Sequence, residues 1–310
     1  MSVALLFPGQ GTQHDAMLPW LESEQAAAPV LARMAAILGS DWRTRLADSS
    51  WSQTNSVAQA LVTGASVAAW AALASRLPRI VAVAGYSVGE LGSSVAAGML
   101  SSDDALALAV ERAAAMDRSA SGRDEGLLGL SQVEPEVIEA ACVRWQLEIA
   151  IRTGERRCVL GGPADALEAA AARLQEDGAK ATRLCVRVAS HTSAMRAAVP
   201  ELAGRLAGFA WRPPRVPWVA GVTGTVVRDV HEARRVLADQ VATTIRWDVS
   251  MDTVAERKPD AVLEVGPGTT LTRLWRERHP EIAARSCDEF SCSEHVLAWL
   301  DSVGARVQSH

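Results

Sequence analysis

The chain has 310 residues, of which 49% are hydrophobic and 22% charged, with a formal net charge of -5. That length supports a large core in one large domain or two modest ones, and the composition is that of a soluble globular enzyme. The acidic balance leaves no basic face, which argues against nucleic acid as a partner. The first stretch, "MSVALLFPGQGTQ", has an apolar start without a basic leader or a small-residue cleavage site, so it does not read as a signal peptide. "VALLF", stopped by Pro8 and Gly9, predicts a buried parallel strand. Helical segments follow, including one over residues 57–75. Its most hydrophobic part, "LVTGASVAAWAALAS", is interrupted by Gly64 and falls short of the roughly 20 residues a membrane span requires. It reads as a buried helix, with no membrane partner. "IVAVAGYS" predicts a second buried strand and "GELGSSVAAGML" a helix. "SSDDALALAVERAAAMDRSA" carries an N-cap signal ahead of apolar residues at helical spacing.

After Gly122 the rhythm changes. "GLLGLS", "EPEVIEAACVRW", "LEIAIRT", "RRCVLGG", "PADALEAAAARLQEDGA" and "ATRLCVRV" read as β-α-β-β-α-β, the ferredoxin-like plan. The chain then returns with a helix over "SHTSAMRAAVPELAGRL" and strands at "VPWVAGV" and "AVLEVGPG". The expected fold is α/β. A mostly parallel, doubly wound, α/β-hydrolase-like sheet domain (residues 1–122 and 190–310) receives an inserted ferredoxin-like α+β subdomain (residues 123–189). The ten tryptophans show no repeat and are assigned to packing. Five cysteines (Cys142, Cys158, Cys185, Cys287, Cys292), an odd number with no C-x-x-C pair, read as reduced, mostly buried thiols of a cytoplasmic protein.

The pattern G-x-S-x-G at "GYSVG" places Ser87 at the carboxyl end of a predicted buried strand, where open α/β sheets place their ligands. A helix starting just after Ser87 would aim backbone N–H groups at a developing oxyanion. The plain alternative is that Gly85 and Gly89 serve only close strand–helix packing. A serine nucleophile needs a base. Of the six histidines, His231, His279, His295 and His310 lie in charged, polar or terminal contexts that suit solvated surface groups. His191 follows directly on a predicted strand and precedes a helix, which puts it at the same face as Ser87. His14, after a glycine loop, is its only rival. No Asp or Glu stands out as a third member, and a backbone carbonyl could orient the histidine instead.

Four segments, "FPGQGTQ", "GYSVGE", "ERAAAMDRS" and "VASHT", with "QVATTIRW" and "LEVGPG" in order behind them, resemble the malonyl-CoA:acyl carrier protein transacylase family over nearly the whole chain. The tail "ARSCDEFSCSEHVLAWL" and the compact N-terminal half look closer to the transacylase (epsilon) subunit of malonate decarboxylase. The resemblance implies Ser87 as the acylated nucleophile, His191 as its base, and Gln240 as the residue whose carbonyl orients that base. It implies the Gln10 and Val88 amides as the oxyanion hole. Arg112 becomes the partner of the malonyl carboxylate, which its planar fork suits; without the resemblance Arg112 reads as a solvated helix charge beside Glu111 or Asp104. The implied reaction is ping-pong transfer from malonyl-CoA, a CoA thioester, to the thiol of an acyl carrier protein. That carrier is of the phosphopantetheine type or the malonate decarboxylase carrier subunit. The setting is fatty acid biosynthesis or malonate decarboxylation, with no metal and no bound cofactor. The sequence departs from the family pattern at Tyr86, where histidine is usual, and at "TTIRW", which has Thr where many members have Asn-Pro. "VASH" lacks the phenylalanine of many malonyl-selective modules, which leaves malonyl against methylmalonyl open. A serine hydrolase or thioesterase acting on acyl-CoA would need an acid between Ser and a late His. A non-catalytic carrier-docking subunit would form no acyl-enzyme.

Overall fold

The structure, a computed structural model, describes residues 1–308, so His310 lies outside the described residues. The strands in chain order are β1 (Ser2–Phe7), β2 (Arg79–Gly85), β3 (Glu125–Ser131), β4 (Glu148–Gly154), β5 (Arg157–Pro163) and β6 (Lys180–Arg183). They continue with β7 (Trp218–Ala220), β8 (Thr225–Val227), β9 (Ile245–Arg246), β10 (Ala261–Glu264) and β11 (Ala283–Ser286). A six-stranded sheet runs β11-β10-β1-β2-β7-β8, parallel except for the β8 edge. Its centre is β1, whose residues from Val3 to Phe7 are wholly buried, as an unbroken apolar run with helices on both faces requires. This is the mostly parallel α/β sheet expected from the alternation of strands and helices.

The second sheet runs β6-β3-β5-β4-β9. Four of its strands come from residues 125–183, antiparallel to one another, with the helices Pro135–Trp145 and Ala164–Glu176 packed on a separate small core. The fifth, β9, arrives from the large domain and pairs parallel with β4 at Ile151↔Ile245 and Arg152↔Arg246. That splice, together with the Thr244 hydroxyl donating to the Ile149 carbonyl at 2.6 Å, fixes the segment just after Gln240 against the smaller sheet.

Several sequence expectations need correction. The apolar helix runs Asn55–Leu73, so it has the length and hydropathy to cross a membrane after all; 78% of its apolar window is nonetheless buried inside the protein, which makes it a core helix. β6 ends at Arg183, short of "LCVRV", and leaves Cys185 exposed beyond the ladder. Only Cys158 and Cys287 of the five cysteines are buried. The segment after His191 is not one helix: a short 3-10 turn, Ser193–Met195, precedes the helix Ala198–Ala207. The cause is His191 itself, whose φ of 65° is left-handed and whose N–H is taken by the Val241 carbonyl at 2.7 Å.

Candidate active site

β2 delivers the chain into a tight turn at Ser87, which has a φ of 56°. A bulky or branched residue in that region is strained, and such strain concentrates at functional sites. The flanking glycines are steric necessities. A Cβ on Gly85 would lie 2.2 Å from the Glu90 nitrogen, and one on Gly89 would lie 2.2 Å from the Phe7 carbonyl oxygen. The helix Gly89–Ala96 can therefore start directly against the end of β1, with Ser87 standing at its amino end.

The Ser87 hydroxyl lies 2.8 Å from His191 Nε2. His191 Nδ1 lies 2.7 Å from the Gln240 carbonyl oxygen. A carbonyl only accepts, so Nδ1 carries the proton and Nε2 is left as the acceptor for the serine O–H. Two successive carbonyls, Gln240 and Val241, thus hold the ring and its backbone with no carboxylate. Burial, and then the charge of Arg112, hold the His191 pKa down to about 3, so the imidazole is neutral and available as a base.

Arg112 projects from the helix Ser102–Ala120 and is 5% exposed. Its Nη1 donates to Gln59 Oε1 and its Nη2 to Gln240 Oε1, both at 2.8 Å. Nη2 also lies 3.4 Å from the serine oxygen. The solvated helix charge is excluded, and neither Glu111 nor Asp104 is its partner. Burial lowers its pKa to about 10, so it remains a cation at neutral pH. The Gln240 Nε2 donates to the Ser87 carbonyl at 3.1 Å, so one glutamine touches nucleophile, base and cation. Gln59 escaped the sequence reading; its only signal was a glutamine within the most apolar helix.

Among the described residues, none accepts from the backbone N–H of Gln10 or of Val88. Both amides are free for an oxyanion. His14 sits apart from the dyad, with its Nε2 2.6 Å from Asp288. His279 is not the solvated group expected: it is half-buried, 4.8 Å from the Trp275 ring and 3.2 Å from Asp252. Tyr86 stacks edge-on against Trp247 at 5.3 Å, and burial raises its pKa above the ordinary phenol value. A cavity of about 500 Å³ opens between the Gly9–Thr12 loop, Tyr86 and the smaller sheet, with Lys180, Arg183 and Arg273 on its wall. Behind Ser87 a slot between Arg112, Leu91, Leu108, Leu202 and Leu206 has only about 10 Å³ open. Among the described residues, no group of three or more His, Cys, Asp or Glu is placed to hold a metal.

Comparison with known proteins places the whole chain in a family. The family described as "Acyl transferase domain" matches residues 4–287. The malonyl CoA-acyl carrier protein transacylase of Mycobacterium tuberculosis is 30% identical over 292 residues, covering 92% of this chain and 95% of that protein. The protein of the same name from Escherichia coli is 28% identical over 306 residues, covering 95% and 98%. Among solved structures, the malonyl-CoA:acyl carrier protein transacylase of Xanthomonas oryzae superposes with a TM-score of 0.88 at 28% identity, covering 97% of this chain and 98% of that one. A malonyl-transacylase solved in complex with a type II polyketide acyl-carrier protein superposes at 0.86 with 25% identity, covering 93% and 96%.

Proposed function

This chain belongs to the acyl transferase domain family, and from that premise we propose that it moves a malonyl group from malonyl-CoA to the pantetheine-type thiol of an acyl carrier protein, by way of a malonyl ester on Ser87. One observation carries the reading. The serine oxygen sits between a neutral histidine at 2.8 Å and a buried guanidinium at 3.4 Å, which supplies a base and a carboxylate site at one atom. His191 Nε2 takes the Ser87 proton as the oxygen attacks the thioester carbon. The resulting oxyanion rests on the Gln10 and Val88 amides. The C–S bond then breaks, and protonated His191 gives its proton to the departing CoA thiolate. The carrier thiol next gives its proton to His191 and attacks the ester, and the proton returns to Ser87. Throughout, Arg112 exchanges a neutral amide oxygen, of Gln59 or Gln240, for the malonyl carboxylate, which it binds as a fork.

The cavity bordered by Gln10 and Tyr86 is where we place the pantetheine arm. Lys180, Arg183 and Arg273 have no ion-pair partner among the described residues and suit its phosphates. These steps use only the chain's own groups, so the proposal includes no bound cofactor, and it places the enzyme in the cytoplasm. The tail "ARSCDEFSCSEHVLAWL" favours a narrower version, in which the carrier is the carrier subunit of malonate decarboxylase.

Intact mass spectrometry after mixing with malonyl-, methylmalonyl- or acetyl-CoA tests the reading. The wild type should gain a malonyl adduct that carrier thiol discharges faster than water, and Ser87→Ala should gain none. An adduct that persists in Ser87→Ala reassigns the nucleophile. Steady hydrolysis without a carrier makes the protein a thioesterase.

A further inference from the structure

The loop that carries the Gln10 amide is gripped by a side chain the transfer steps leave unused. At the end of β1 the Tyr86 N–H donates to the Phe7 carbonyl at 2.9 Å, so the loop starts pinned to the nucleophile turn. Thr12 Oγ1 donates back to the Gly9 carbonyl at 2.8 Å and closes the turn around Gln10. Thr12 packs on Gly268, so closely that a Cβ on that glycine would stand 3.2 Å from Thr12 Cβ. Asp288, in the 3-10 turn Cys287–Glu289, joins these pieces, and its side chain is only 4% exposed. Its Oδ2 accepts the Gly268 N–H at 2.6 Å and its Oδ1 the Leu18 N–H at 2.7 Å, while His14 Nε2 lies 2.6 Å from Oδ2. A carboxylate only accepts, so His14 Nε2 carries the proton. The neighbouring Ser286 hydroxyl donates to the Gly268 carbonyl at 2.5 Å, so the same turn holds both sides of that glycine. Leu18 has a φ of 43°, a strained conformation for a bulky residue that lasts only where the surroundings over-determine it. There Asp288 accepts its N–H, and Arg43 Nη2 donates to its carbonyl at 3.2 Å.

We propose that Asp288 is a positioning residue for the oxyanion site: it ties His14, Leu18 and Gly268 together and so fixes where the Gln10 N–H points. The inference rests on the reading that this amide receives the thioester oxyanion. Its three donors come from opposite ends of the chain, and the carboxylate is the group on which they converge. An oxyanion donor is effective only where the developing charge will lie, and a displacement of about 1 Å can cost ~10²-fold in rate. In Asp288→Asn one side-chain oxygen becomes an NH2 group, which cannot accept from Leu18 on one side or from Gly268 and His14 on the other. The loop is then released on that side. The maximal rate of malonyl loading should fall ~10–100-fold while KM moves no more than about twofold, because the amide meets the charge only in the transition state.

The experiment is single-turnover loading of the full chain without acceptor thiol, in wild type and Asp288→Asn, with malonyl-CoA and with its dithioester analogue. Sulfur is a weak hydrogen-bond acceptor, so the dithioester gains little from the oxyanion amides. The ratio of the two kcat/KM values also cancels any loss of folded enzyme. The expected result is that Asp288→Asn lowers this ratio by at least about tenfold, with the dithioester rate nearly unchanged. An unchanged ratio, or a loss confined to KM, overturns the inference. Should Asp288→Asn fail to fold, His14→Ala decides the matter, since it removes one of the three donors and alters only an exposed side chain. The ratio should then fall about threefold, the worth of one hydrogen bond, and a ratio equal to that of wild type is equally fatal. Failure of the oxyanion reading itself looks different, because then wild type prefers the oxygen ester no more than hydroxide does in solution.

Discussion

Arg112→Ala is the most informative perturbation of the acyl slot. In the resting protein the guanidinium is buried among leucines and donates to two neutral amides. A malonyl carboxylate that enters this slot loses its hydration, and the fork replaces it. Removing one member of a buried charge pair costs ~3–5 kcal/mol, because the other is left uncompensated. Each ~1.4 kcal/mol is tenfold, so kcat/KM for malonyl-CoA should fall by ~10²–10³. Acetyl-CoA has no carboxylate and should lose little or gain. The substitution also strips the Oε1 atoms of Gln59 and Gln240 of their donor, at ~1–3 kcal/mol of stability for each atom left unsatisfied. Thermal unfolding must therefore be measured beside activity, and the malonyl-to-acetyl ratio is the quantity that cancels a loss of folded enzyme. Arg112→Lys should recover only part of the ratio, since a point charge lacks the fork. An unchanged ratio in Arg112→Ala would refute the assignment.

Two further outcomes follow from the site. With the His191 pKa held near 3 in the empty enzyme, kcat/KM for malonyl loading, which reports the free enzyme, should stay level as pH falls from 7 to 4.5, where an ordinary histidine would already have protonated; a kcat/KM profile with an inflection near 6.5 contradicts this. The Tyr86 ring packs on Trp247 and its hydroxyl has no hydrogen-bond partner among the described residues, so Tyr86→Phe should leave loading and its pH profile unchanged, and a tenfold rate loss would show that the hydroxyl takes part.

The large sheet was legible because its central strands are unbroken apolar runs with glycine punctuation at their ends, a signal that survives in one sequence. β8, β9 and β11, of two to four residues each, were not, since such short strands are defined by the neighbours they pair with. The same limit hid the splice of β9 onto the smaller sheet. Ser87 and His191 could be placed at one end of the sheet from local pattern alone, but their 2.8 Å contact spans 104 residues and only the fold supplies it. Arg112 shows the limit most sharply. Its flanking charges suggested a solvated helix face, and what decides its environment is Gln59, 53 residues away on another helix. Gln59 carries a weak signal, a polar side chain inside a run of small and apolar residues. That signal marks a buried group without saying what it touches.

Gln240 explains why the dyad works without an acid. Its carbonyl fixes the His191 tautomer, its Oε1 receives Arg112, and its Nε2 holds the Ser87 backbone. A carboxylate in its place would also orient the imidazole, but it would pair with Arg112 and fill the site that the proposed reading gives to the substrate. A neutral carbonyl leaves the cation uncompensated. The consequence is a histidine that is a poor base in the empty enzyme, because burial and the Arg112 charge both disfavour imidazolium. On the proposed reading, the malonyl carboxylate neutralises that charge when it binds, and His191 regains basicity at the moment Ser87 must be deprotonated. An acyl group without a carboxylate leaves the histidine suppressed. Selectivity then resides in the rate of acylation as well as in binding, since the interaction that holds the correct substrate is also the one that prepares the base.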